Sequence, residues 1–188
     1  MNKYDVILAD PPWEFSVWNA EKSDRHVSHK YDLMSVEDIC ALSVSKIAEE
    51  NCALFLWATW PNILDALSVI DAWGFKYRTC AWTWVKSKRS GFGFHFGMGY
   101  YTRANTEPCL LAVKGRMKVQ AHDVLGLLYY PVRKHSQKPD DQYGKIERLY
   151  PDMKYCELFA RNKREGWHSW GNEVISDFNL ISLEEYRS

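Results

Sequence analysis

A chain of 188 residues suits roughly one domain with a substantial core, without a large accessory domain. Lys plus Arg and Asp plus Glu balance at 24 each, so bulk charge alone does not mark a nucleic-acid binder. The longest apolar runs fall well short of the roughly 20 residues that cross a bilayer, and neither a membrane span nor a signal peptide is expected.

Tyr4–Ala9 (YDVILA) is a short apolar, β-branched run closed by Asp10-Pro11-Pro12, which predicts a first strand that ends there. Ser35 followed by Val36, Ile39, Cys40 and Ile47 at helical spacing predicts a helix with Ser35 as N-cap and Asp38 three residues on. Residues 52–58 (CALFLWA) read as a strand buried on both faces. Pro61 then opens a helix carrying Ile63, Leu67 and Ile70 on one side, ended by Gly74. Residues 77–85 and 108–113 are further strands, 139–149 a helix with acids in its first turn, and 154–160 a final strand. The alternation implies an α/β fold, a mainly parallel sheet with helices on both faces.

Segments 14–34 and 87–105 fit neither period. Loops this long inside a compact domain are usually functional or disordered. Both follow strand ends, where open α/β sheets bind ligands. Between residues 86 and 122 the basic residues are Lys86, Lys88, Arg89, Arg103, Lys114, Arg116 and Lys118, against the single acid Glu107. Acids concentrate instead between Glu21 and Glu50 and after Glu173. The pattern serves a phosphate-binding face or an ordinary solvated surface equally well, because phosphate binding needs clustering in space. The aromatic content of 15%, with nine tryptophans, exceeds what a core of this size needs. Phe92, Phe94, Phe96, Tyr100 and Tyr101 fall in a glycine-rich stretch where core packing is not expected.

Five cysteines are odd in number and scattered, unlike a disulfide framework, and a reducing cytoplasm is the expected compartment. The six histidines show no zinc spacing with them, so no metal is expected. Gly91-x-Gly93-x-x-x-Gly97 has the wrong spacing for a dinucleotide loop and no helical pattern follows it.

Asp10-Pro11-Pro12-Trp13 at a strand end is the most informative tetrapeptide. Asp10 is a hydrogen-bond acceptor, and the prolines lack N–H groups and hold the backbone extended, so the Pro11 carbonyl is offered as a second acceptor. Two acceptors suit an amino group with two hydrogens, and Trp13 offers a flat face for stacking an extruded base. The same four residues also make a plain strand-terminating turn, and on their own they leave both readings open.

With its context, this motif resembles that of the DPPW-type adenine-N6 methyltransferases. That family includes the catalytic subunit of the eukaryotic messenger-RNA adenosine methyltransferase and many bacterial and phage enzymes. Further matching blocks are His29 to Ser35 (HKYDLMS), Leu54 to Thr59 (LFLWAT), Trp82 to Lys86 (WTWVK), Thr106 to Gly115 (TEPCLLAVKG), His135 to Asp140 (HSQKPD), Glu157 to Arg161 (ELFAR) and Trp170 to Glu173 (WGNE). Their order runs through nearly the whole chain.

The resemblance implies a Rossmann-like methyltransferase fold, permuted so that the catalytic motif precedes the cofactor-binding strand. It implies S-adenosylmethionine as cofactor and methyl transfer to adenine N6 in nucleic acid, with DNA favoured because compact members of this kind are bacterial or phage enzymes. Residues 1–174 would be the catalytic domain and 175–188 a tail of unassigned role. Asp10, Pro11, Pro12 and Trp13 would be catalytic. Asp10, Ser136, Lys138, Pro139, Glu157, Phe159, Arg161, Asn172 and Glu173 would bind cofactor, with Glu157 on the ribose hydroxyls, Asn172 on the adenine and Lys138 on the methionine carboxylate. Trp13, Tyr31, Lys86, Lys88, Arg89 and Arg103 would bind substrate. A homodimer or an accessory specificity subunit is compatible with this reading. Two other functions stay open: a non-catalytic nucleic-acid-binding subunit of a methyltransferase complex, and transfer to another planar amino or amide group. The intact Asp10 and Trp13 argue against both. Thr106 stands where the messenger-RNA enzyme has lysine, so that contact is not carried over.

Overall fold

The structure is a computed structural model that describes residues 2–14, 33–99, 101–133 and 137–180. Among these, the elements in chain order are β1 (Tyr4–Ala9), α1 (Val36–Ala41), α2 (Val44–Ile47), β2 (Ala48–Trp57), a 3-10 turn (Trp60–Asn62), α3 (Ile63–Ala72), β3 (Lys76–Ser87), β4 (Thr106–Lys114), β5 (Leu127–Pro131), α4 (Asp141–Leu149), β6 (Tyr155–Leu158) and β7 (Trp167–Trp170). The strands form one seven-stranded sheet in the order β5-β3-β4-β2-β1-β6-β7. β1 pairs parallel with β2 and β6, β6 with β7, and β3 with β5, while β4 runs antiparallel to both β2 and β3. The fold is therefore a mixed, mostly parallel α/β sheet.

β1 lies in the interior of the sheet, between β2 and β6, and its residues are apolar on both faces. Ile7 and Ala9 join Leu54 and Leu56 of β2 beneath Ile39, Val44, Ala66, Ile70 and Trp73 of the α1–α3 layer. Val6 and Leu8 join Phe55, Trp57, Trp82 and Trp84 on the opposite face, under Ile146 and Tyr150 at α4. Period-two alternation thus feeds two cores from one strand.

The helix boundaries follow local chemistry. Ser35 Oγ accepts the Asp38 N–H at 3.1 Å and caps α1. α3 ends in a Schellman turn: Gly74 has φ +81°, its N–H reaches Asp71 O at 2.9 Å, and the Phe75 N–H reaches Ile70 O at 3.0 Å.

Three sequence expectations change. The helix from Ser35 to Ile47 is two short helices separated at Leu42 and Ser43, where the Leu42 backbone turns extended. The strand expected over 154–160 stops at Leu158, because Phe159 adopts φ +62°, and β7 follows as an additional strand. β5 is also additional; five residues ending at Pro131 and next to a loop give a weak strand signal. Of the residues after 174, Phe178 packs on Tyr4 with ring centroids 5.2 Å apart and Leu180 is buried in the same core. Among the described residues, no helix is long and apolar enough to cross a membrane.

Candidate active site

The parallel strands deliver their carboxyl ends to one edge of the sheet. Asp10 follows β1 directly, and β6 beside it pairs Leu8 with Glu157. A cavity of about 330 Å³ opens there, lined by Asp10, Trp57, Lys138, Tyr143, Glu157 and Arg161 among others. β4 contributes from the opposite direction: being antiparallel, it brings its first residues, Thr106 and Glu107, to the same edge.

Four charges alternate across this edge. Lys138 Nζ lies 2.7 Å from both Asp10 oxygens and 3.5 Å from Glu107 Oε2, and Lys86 Nζ lies 2.5 Å from Glu107 Oε1. Burial disfavours the Lys138 charge, but Asp10 and Glu107 outweigh it and lift the ammonium above the ordinary lysine range. Burial likewise pushes Glu107 up, yet Lys138 and Lys86 together hold it below the usual carboxylate value. Lys138 and Glu107 therefore keep their charge at neutral pH. Tryptophans floor the ladder, with Lys138 Nζ 5.5 Å from the Trp57 ring centre and Lys86 Nζ 5.0 Å from that of Trp84. Trp57 is fixed by Nε1 donating to Gln142 Oε1 at 2.7 Å, and Trp84 by Nε1 donating to Tyr130 O at 2.9 Å.

The Asp-Pro-Pro-Trp segment folds differently from the expectation in two respects. Pro11 O accepts the Trp13 N–H at 2.9 Å and Pro12 O accepts the Met34 N–H at 3.0 Å, so neither proline carbonyl lacks a donor. Each keeps a second lone pair. Trp13 is 4% exposed, packed in the core with Nε1 donating to Trp57 O at 3.0 Å, and does not present an open face for a base. Its role here is to pin the turn that aims Asp10.

Glu157 sits at the other wall of the cavity. Burial raises its carboxyl from the ordinary 4.5 to about 7, opposed by the Tyr143 hydroxyl, which donates to Oε2 at 2.9 Å, and reinforced by Asp10. Arg164 covers the Tyr143 ring at 4.5 Å and pairs with Glu147 at 3.1 Å, while Trp167 Nε1 also donates to Glu147 at 2.8 Å. Beyond Phe159, the Ala160 N–H bonds Trp170 O at 2.9 Å, and a Cβ at Gly171 would come within 2.4 Å of Ala160 O. Only glycine allows this approach; two residues on, Glu173 pairs at 3.5 Å with Arg161, which lines the cavity, while Asn172 and Glu173 do not line it themselves.

The remaining expected residues separate into groups. Lys138 lines the cavity with its ammonium engaged by Asp10 and Glu107. Lys86 is tied to Glu107, whereas Lys88 and Arg89 are exposed, and Arg103 stacks on Phe96 at 4.8 Å. Phe92, Phe94, Phe96, Met98 and Tyr101 of the same loop are exposed. Pro139 is buried before α4. Tyr31, Tyr100, His135 and Ser136 lie outside the described residues.

Glu107, Tyr143 and Arg133 are not legible as site residues in the sequence alone. Arg133 holds the segment bearing Lys138 by donating to Lys138 O and to Asp140 Oδ2, the latter at 2.6 Å. The one available signal was Glu107, an acid opening an otherwise apolar strand.

A family model described as MT-A70 matches residues 4–173. The type II methyltransferase M.MunI from a Mycoplasma species is 33% identical over 189 residues, which cover 92% of this chain and 78% of that protein. Human METTL3, an N(6)-adenosine-methyltransferase catalytic subunit, is 30% identical over 179 residues, covering 93% of this chain and 29% of METTL3. An Arabidopsis thaliana N(6)-adenosine-methyltransferase MT-A70-like protein is 29% identical over 177 residues, covering 93% of this chain and 24% of its own length. The chain thus spans most of the Mycoplasma protein and less than a third of these eukaryotic ones. With the family model running from the start of β1 past the end of β7, the chain belongs to the MT-A70 family.

Proposed function

We propose that the protein transfers a methyl group from S-adenosylmethionine to the exocyclic N6 of adenine in nucleic acid, with DNA the preferred substrate. The observation that carries this reading is Asp10 at the end of β1, beside the Pro11 carbonyl, sharing one cavity with Glu157 of the neighbouring strand. The names of the METTL3 and Arabidopsis relatives support adenine N6 as the acceptor. The preference for DNA rests on the likeness to compact bacterial and phage members and on the long match to M.MunI.

S-adenosylmethionine, when bound, supplies a methyl group on a positively charged sulfur. The residues present fit such a ligand. Glu157 keeps Oε1 as an acceptor for ribose hydroxyls while Tyr143 occupies Oε2, Arg161 lines the cavity and pairs with Glu173, and Asn172 is assigned by family likeness alone. Phe159 and Pro139 border the same region, and Ser136 is assigned by family likeness alone.

The chain's own task is to hold a weakly nucleophilic amino group. A carboxylate has about four lone-pair positions. Lys138 engages one on each Asp10 oxygen, so Asp10 stays oriented and still accepts an amino hydrogen. The second lone pair of Pro11 O takes the other hydrogen. Positioning between fixed, preorganised partners then does most of the catalysis.

The test is nucleoside mass spectrometry of DNA and RNA after incubation with the purified protein and S-adenosylmethionine. N6-methyladenine should appear, more in DNA than in RNA, and Asp10→Ala should slow its formation by about 10²-fold or more. Methylation at another atom, or unchanged turnover by Asp10→Ala, would overturn the reading.

A further inference from the structure

Trp60 differs from the other described tryptophans. Trp13, Trp57, Trp73, Trp82, Trp84 and Trp167 are buried, whereas Trp60 is 50% exposed. Exposure of a large ring normally goes with mobility, yet Trp60 is held at both its backbone and its ring. Its Nε1 donates to Thr106 Oγ1 at 2.9 Å. Its backbone opens the 3-10 turn with Pro61 following, closed by the Asn62 N–H on Thr59 O at 3.1 Å. The Asn62 side chain then donates to Glu14 O at 3.2 Å, tying the turn to the residue after Trp13.

Its position is as informative as its rigidity. β1 and β2 pair Ala9 with Leu56, so Asp10 stands level with the end of β2 and Trp60 lies three residues beyond Trp57 at the same edge. Thr106, its ring partner, precedes Glu107, which contacts Lys138, which contacts Asp10. On the other side, Thr106 ends the loop that bears exposed Lys88, Arg89 and Arg103. A preorganised indole is thus tied through Thr106 to the strand that carries Glu107 and to a cationic loop, at the edge of the sheet where β1 ends in Asp10.

We infer that Trp60 is the stacking platform for a nucleobase of the substrate strand, an inference that rests on the proposed nucleic-acid substrate. A flat ring already fixed by Thr106 loses little freedom when a base covers it. Stacking tolerates any base, so Trp60 grips the strand and leaves sequence choice to other residues. The basic loop beside it favours nucleic acid over a protein partner at this surface.

The test compares wild type, Trp60→Ala, Trp60→Phe and Thr106→Val for binding of adenine-containing oligonucleotides. Some of these carry 2-aminopurine at the target position or at either neighbour. Trp60→Ala should weaken binding by about 10-fold or more. Trp60→Phe should lose much less, and Thr106→Val should fall between them. The slope of log affinity against log salt should not change, because no cation is removed. Affinity for S-adenosylhomocysteine should also stay the same. Wild type should quench one 2-aminopurine position that Trp60→Ala leaves bright, and that position identifies the stacked base.

Equal oligonucleotide binding by wild type and a folded Trp60→Ala would overturn the inference while leaving methyl transfer intact. So would a change confined to self-association in sedimentation, which would mark the indole as a protein contact. A wild type that neither binds nor methylates any oligonucleotide would overturn the functional reading and this inference together.

Discussion

Tyr143 donates its hydroxyl to Glu157 Oε2 at 2.9 Å, and this contact opposes the burial that pushes the Glu157 carboxyl up to about 7. The groups facing Glu157 are Tyr143 from α4, Asp10 after β1, Asp140 before α4 and Arg164 from the loop after β6. Because the folded value lies above the ordinary 4.5, the ligand-free fold is favoured in acid and loses stability as pH rises from about 4.5 through about 7. Replacing the carboxylate by an amide removes that penalty, which is on the order of 3 kcal/mol. Glu157→Gln should therefore raise the melting temperature at pH 8 much more than at pH 5.

Binding should show the opposite dependence. The ionised carboxylate accepts ribose hydroxyls, so affinity for S-adenosylhomocysteine should climb between pH 6 and pH 8 and level off above. Tyr143→Phe removes a hydrogen bond that favours ionisation, and its midpoint should move to higher pH with recovery in alkali. Calorimetry across this range checks both, and a flat profile in wild type would remove Glu157 from the binding site.

Lys138 is the shared cation of Asp10 and Glu107. Removing one partner from a buried ion pair typically costs about 3–5 kcal/mol, because an uncompensated charge remains. Lys138→Ala should cost stability on that scale in urea unfolding. Glu107→Gln should then cost less than it does in wild type, since Glu107 has already lost one of its two cations and keeps only Lys86. Two losses that simply add would show that the residues are not coupled.

The basic residues of the loop are not equivalent. If Lys88 and Arg89 contact phosphates, their replacement by alanine should make the salt dependence of duplex binding shallower by about 0.9 per lost contact, or about 0.7 on single strands. Lys86 is already paired with Glu107, so Lys86→Ala should leave the slope unchanged while lowering stability. Titrations at several salt concentrations separate the two cases.

Much of this arrangement is written locally in the sequence. Asp10-Pro11-Pro12 ends β1 because proline cannot extend a central strand, and Gly74 ends α3 because its φ is positive. Ser35 is read as a cap and acts as one. Contacts between distant residues leave no such trace. Lys138 meets Asp10 across 128 residues, and nothing near either position predicts the other as its partner. The burial of Trp13 is likewise set by Trp57, 44 residues away. Tyr143 shares its helix with apolar residues and reads as core until Glu157 is seen beside its hydroxyl. β5 and β7 escape notice because strands of five and four residues at the sheet margins carry little periodicity.

The antiparallel course of β4 has an evolutionary corollary. β3 and β4 form the two legs of a hairpin, so the chain between them leaves and re-enters the sheet at one place, with the Lys86 N–H bonded to Asn105 O at 2.8 Å across the gap. Whatever is spliced in at that gap leaves the strand register undisturbed. Doubling the insert adds only about 0.6 kcal/mol of closure entropy. If this ribbon tip contacts the target, its exchange leaves Asp10 after β1, Lys138 before α4 and Glu157 within β6 where they stand.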